Sequence, residues 1–159
     1  MRRLLIVLSM AIVLTACDDK RVYEEYTDFD KRYWMVTDKP AFEFEVPDTR
    51  QPYNVYCNIR NSNAYPYSRL FVTYYLQDST GRELRKNMIN EYLFDAKTGK
   101  PFGRSGLGDL YDQRFLLLKD HRFDKPGKYK VQFEQFMRTD TLQGIVAVGL
   151  RVEKAGVEK

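Results

Sequence analysis

Ala41-Phe42-Glu43-Phe44-Glu45-Val46 decides the fold. Phe42, Phe44 and Val46 fall on one side of an extended chain, and Glu43 and Glu45 on the other. A period of two is what a half-buried strand requires and what a helix cannot use. Lys39-Pro40 before it and the connection at 47–52 after it close the stretch at both ends.

The same rhythm recurs outward. Tyr53, Val55, Cys57 and Ile59 alternate with Asn54, Tyr56, Asn58 and Arg60. After Asn61-Ser62-Asn63, which has turn chemistry, Leu70, Val72, Tyr74 and Leu76 form another inner face. These two strands are expected to pair through the loop between them. Asp78-Ser79-Thr80-Gly81 is the next turn. Residues 82–94 are ambiguous between strand and helix, and strand is favoured because no N-cap opens the segment. Residues 95–112 hold four glycines and read as one long irregular loop. Strands follow around Leu116-Leu117-Leu118, at Tyr129, Val131 and Phe133, and at Val146, Val148, Leu150 and Val152. About seven strands with no βαβ rhythm predict an all-β fold. The expected architecture is an antiparallel β-sandwich, jelly-roll or Ig-like, with a closed barrel as the alternative.

The N-terminus is of another kind. Arg2 and Arg3 precede an apolar run at 4–14 broken only by Ser9, and Leu14-Thr15-Ala16-Cys17 ends it. A basic start, a short apolar run and small residues make a secretory signal, too short to span a bilayer. Leu14-Thr15-Ala16-Cys17 resembles a bacterial lipobox, which implies cleavage before Cys17 and acylation of that residue. The expected organisation is a signal peptide at 1–16, a lipidated N-terminus and charged tether at 17–32, a sandwich at 33–154 and a charged tail at 155–159. Two or more acyl chains give a durable membrane anchor.

Removing residues 1–16 leaves 143 of 159, enough for one core. Losing Arg2 and Arg3 takes the basic residues from 26 to 24 against 22 acidic ones, so the net charge falls from +4 to +2. No Lys/Arg block suggests nucleic acid, and none is expected as a partner. The sequence has two Cys and one His. If Cys17 carries lipid, Cys57 has no disulfide partner, and the common zinc ligand sets cannot be assembled. No metal, cofactor or catalytic residue is expected. Cys57 reads as a buried small hydrophobe, and His121 as a solvated loop residue. Gly103-Arg104-Ser105-Gly106-Leu107-Gly108 matches neither a Rossmann nor a P-loop spacing. Asp109 and Asp112 alone fix no glycosidase geometry.

The side opposite Cys57 is the candidate binding face. If the two strands pair, Tyr56 and Arg60 lie beside Phe71 and Tyr75. Flat aromatics among guanidinium and amide donors could stack on a glycan ring or anchor a protein. The alternative is that the N-terminal segment covers this face, with Trp34 in its contacts.

An ordered set of motifs carries a resemblance. It comprises Arg21-Val22-Tyr23, Pro47-Asp48-Thr49, Pro52-Tyr53-Asn54, Asn58-Ile59-Arg60-Asn61 and Gly106-Leu107-Gly108-Asp109-Leu110, then Pro126-Gly127-Lys128-Tyr129 and Glu134-Gln135-Phe136-Met137-Arg138. Last come Gly144-Ile145 and Val148-Gly149-Leu150-Arg151-Val152-Glu153. From about residue 23 to residue 154 the chain resembles the gliding-motility lipoprotein GldH family of Bacteroidetes. The resemblance implies a non-enzymatic envelope lipoprotein, placed at the outer membrane. It also implies protein partners in the gliding machinery and its associated secretion system. A lipid-anchored glycan-binding module is the alternative.

Overall fold

The computed structural model describes residues 18–156. Eleven strands make up its regular structure: β1 (Arg21–Asp28), β2 (Tyr33–Met35), β3 (Ala41–Val46), β4 (Tyr53–Ser62), β5 (Arg69–Asp78), β6 (Glu83–Tyr92), β7 (Arg104–Ser105), β8 (Leu110–His121), β9 (Gly127–Gln135), β10 (Thr141–Gln143) and β11 (Ile145–Lys154). One sheet runs β1-β11-β4-β8-β7 and the other β3-β9-β5-β6, with β2 and β10 as a short ribbon. All pairings are antiparallel. The expected all-β sandwich is the observed fold.

The alternation explains the core. Phe42, Phe44 and Val46 of β3 meet Val55, Cys57 and Ile59 of β4. Val72 and Leu76 of β5, Val131 and Phe133 of β9, and Leu150 and Val152 of β11 belong to the same buried cluster. Each fully buried Leu, Val or Phe contributes about 1.5–3 kcal/mol of transfer free energy. At one end Phe123 packs 4.4 Å from Tyr129 and 5.8 Å from both Phe44 and Tyr53, ring centre to ring centre. Towards the other end Trp34 is fully buried, stacks on Phe29 at 5.8 Å and donates Nε1–H to the Asp38 carbonyl at 2.8 Å.

The structure corrects the expected tether at 17–32. Residues 21–28 are β1, registered along β11 from Arg21–Glu153 to Asp28–Ala147. This edge strand has outward positions filled by polar residues that bond across the sheet, so it shows no apolar alternation. The tail differs too: Ala155 is buried, and its N–H donates to the Pro52 carbonyl at 2.8 Å.

The expected pairing of β4 with β5 is also corrected. β4 lies between β11 and β8, and β5 between β9 and β6. The connection at 63–68 therefore crosses between sheets. Tyr65 is buried there, its hydroxyl donating to the Arg69 carbonyl at 2.8 Å. Gly144 lets this crossing close. Its φ is +78°, and a Cβ on it would stand 2.3 Å from the Tyr65 nitrogen. The expected irregular loop at 95–112 is shorter than anticipated, because β8 already begins at Leu110.

Candidate functional site

Cys17 lies outside the described residues. Asp18, the next residue, is described, and its carboxylate pairs with Arg151. Arg151 projects from the outer face of β11 yet is only 7% exposed in its side chain. It also pairs with Glu24 of β1 and Glu153 of its own strand. Arg114 of β8 adds a second cation, 3.6 Å from both Glu24 and Glu153. Three carboxylates around two guanidiniums form a fork-type network that lysine could not reproduce.

The pKa directions follow. Arg151 holds the Asp18 carboxyl below its ordinary value. Burial pushes the Glu24 carboxyl up, but hydrogen bonds and charge from Arg151 and neighbouring arginines outweigh it, and the net direction is down. Burial opposes the charge on Arg151 as well, yet its three carboxylates raise its pKa overall.

The network continues along the sheet. Asn58 donates to the Tyr26 hydroxyl at 2.8 Å and to Glu24 at 3.1 Å, across the intervening β11. Gly149 makes this reach feasible: a Cβ there would sit 2.6 Å from the Tyr26 ring. Arg60 bonds Asp112 at 2.8 Å, and its guanidinium lies 5.7 Å from the centre of the Tyr26 ring. The guanidinium of Arg114 is 5.7 Å from the Tyr56 ring centre. Tyr56 and Arg60 thus belong to a polar face whose groups largely satisfy one another.

Phe71 and Tyr75 lie on the outer face of the opposite sheet, so the expected composite surface of Tyr56, Arg60, Phe71 and Tyr75 does not form. Tyr75 donates to Glu134 at 2.6 Å, Glu134 pairs with Lys39 at 2.9 Å, and Lys86 lies 4.9 Å from the Tyr75 ring centre. Phe71 has another setting. With Tyr67, Met88, Phe136, Met137 and Arg138 it lines a cleft of about 480 Å³. Phe136 is 65% exposed and Met88 45%. Phe136 is held there by its N–H, which donates to the Phe71 carbonyl at 2.9 Å. Exposed apolar side chains gathered in one patch are a general feature of interaction surfaces.

His121 is not the solvated loop residue expected. It ends β8 opposite Tyr53 and stands edge-on to Phe123 at 4.6 Å. Burial, then the charge of Arg85, lowers its pKa. Cys57 is fully buried, and burial pushes its thiol far up. Among the described residues no group of three or more His, Cys, Asp or Glu is arranged to hold a metal.

Sequence reading missed Arg151 and the Phe136–Met137 pair. Both left a signal: an arginine between Leu150 and Val152 in an apolar strand needs partners. Two large apolar residues beyond the alternating run of β9 need a reason to be there.

The class is therefore an antiparallel β-sandwich with a clamped N-terminal strand, one ion-paired face and one apolar cleft. The sequence model of the GldH lipoprotein family matches residues 21–152, and the chain belongs to that family. A gliding motility lipoprotein GldH homolog of Christiangramia forsetii is 33% identical over 151 residues, covering 91% of this chain and 90% of that one. The gliding motility lipoprotein GldH of Flavobacterium johnsoniae is 31% identical over 156 residues, covering 94% of each. Among solved structures, the infectious bursal disease virus VP2 subviral particle is similar over 87% of this chain and 34% of that one, with 12% identity and a TM-score of 0.44, too loose to extend the argument.

Proposed function

We propose that this gliding motility lipoprotein is a non-catalytic accessory of the gliding machinery and its associated secretion system. Cleavage before Cys17 and acylation of Cys17 hold it in the outer membrane, and the sandwich presents a docking surface to another envelope protein. One observation carries the reading: the exposed cluster of Phe71, Met88 and Phe136. Phe71 is seven residues along β5 from Asp78, about 23 Å at strand rise. Asp78 lies at the end where β1 begins, so the cluster is remote from the anchor and open to a protein rather than to lipid. Apolar aromatics at the centre of such a patch are the usual anchors of protein binding.

Site-specific photocrosslinking in the native cells tests this. A photoreactive residue at Met88 is expected to give one reproducible adduct with an envelope protein. Phe71→Ser with Phe136→Ser should abolish the adduct and shift stability by no more than about 1 kcal/mol, since both side chains are partly exposed. No adduct, or one that survives the double substitution, overturns the reading. Labelling with a radioactive fatty acid should require Cys17 and disappear in Cys17→Ser.

A further inference from the structure

The start of β1 shares its end of the molecule with several loops. In one sheet Arg21 pairs with Glu153, Lys154 with Tyr53, and Tyr53 with His121. The β5–β6 turn and the β8–β9 loop meet at the same end, around a cleft of about 350 Å³. Its rim carries Arg82, Arg85, Arg122, Lys125 and Lys128 against Asp78 and Asp124. Asp78 is already spent inside its own turn, accepting from Thr80 and Arg82. Arg85, Arg122, Lys125 and Lys128 form no ion pair among the described residues.

The chain also reaches this end without slack. Lys154 donates its backbone N–H to the Lys20 carbonyl at 2.8 Å, Arg21 donates to the Asp18 carbonyl at 3.0 Å, and Arg151 holds the Asp18 side chain. Consecutive Cα atoms are about 3.8 Å apart. An acylated Cys17 would therefore begin one residue from a fixed point on the domain.

We propose that this end of the sandwich lies against the bilayer. The Arg151–Asp18 clamp sets its tilt, and the rim of Arg85, Arg122, Lys125 and Lys128 contacts anionic phospholipid headgroups of the leaflet that carries the anchor. The inference rests on acylation of Cys17. Three observations converge on it: the absence of slack, the cations beside the anchor point that have no ion-pair partner among the described residues, and the apolar cleft at the far end. Cations close to an anionic surface are attracted individually, and the attraction decays within a Debye length. A free tether would let these residues leave that layer; the clamp keeps them in it.

The test uses the acylated protein purified from membranes and reconstituted into phosphatidylethanolamine vesicles with about one-fifth phosphatidylglycerol. A fluorophore is placed at Ser79→Cys, beside the basic rim, or at Ala96→Cys, in the loop packed near Tyr65 at the other end. Buried Cys57 stays unlabelled. Spin-labelled headgroups should quench the probe at 79 and spare the probe at 96. Arg85→Glu with Lys125→Glu should cut quenching at 79 by about twofold or more while the protein still floats with the vesicles. Asp18→Asn, which loosens the clamp, should do the same, with a thermal melt confirming the fold. Equal quenching at both positions, or quenching at 79 indifferent to charge reversal, overturns the proposal. Protein that fails to float at all instead overturns acylation at Cys17, and Cys17→Ser marks that outcome.

Discussion

Arg151 pairs with three carboxylates, more than any other cation among the described residues. Replacing it with Ala leaves Glu24 and Glu153 half-buried and close together without their main cation. Removing one partner of a buried ion pair costs about 3–5 kcal/mol; partial exposure of these carboxylates places the expected loss near 3 kcal/mol, measurable by urea unfolding. Arg151→Lys keeps the charge but loses the fork, and should recover only part of that loss. The pH dependence has a defined sign. Asp18 and Glu24 have lowered folded values, so their stabilisation is present above their ordinary values of 3.8 and 4.5 and is lost as pH falls through the folded ones. Stability should drop steeply in that acid range, and less steeply in Arg151→Ala. His121 acts earlier. Its folded value lies below 6.5, so the unfolded chain takes up protons first and stability declines as pH falls from 6.5. His121→Gln should flatten that part of the curve.

At the scale of elements, what could be read from sequence depended on which face a strand buries. β3, β4, β5, β9 and β11 each have one apolar face, so their alternation was visible. β1 was not visible, because Glu24 and Tyr26 satisfy neighbours instead of entering the core. Amide hydrogen exchange separates strand from tether: the β1 amides bonded to β11 should exchange slowly, whereas tether amides would exchange at free-chain rates. Alternation also names a strand's inner face without naming its neighbour. That is why β4 and β5 were expected side by side although Tyr65 and Gly144 carry the chain across to the other sheet. The candidate face failed with that pairing. Of its four residues, Phe71 alone joins the exposed apolar cleft.

For the whole molecule, β1 and β11 bring the two ends of the described chain together, and six of the eight strand pairings join strands that are not neighbours in sequence. Such topologies fold in milliseconds to seconds rather than microseconds. Trp34 is the sole tryptophan and is fully buried within the β2–β10 ribbon, opposite Leu142, so its fluorescence should report late closure in stopped-flow refolding. A sub-millisecond recovery of native emission would contradict this. Membership of the GldH lipoprotein family was legible from ordered motifs along the chain. The separation of a charged end from an apolar one was not, because it arises only when distant loops meet.

The Arg151–Asp18 contact spans 133 positions of sequence, and among the described residues β11 is the one strand beside β1. If Cys17 is processed as proposed, the residues next to it leave the translocation channel first and their partner strand nearly last. Until β11 arrives, β1 has no strand to pair with, so cleavage and acylation would precede closure of the Arg151–Asp18 contact. On that proposal the pairing that holds the finished protein in place also orders its maturation: processing first, locking afterwards.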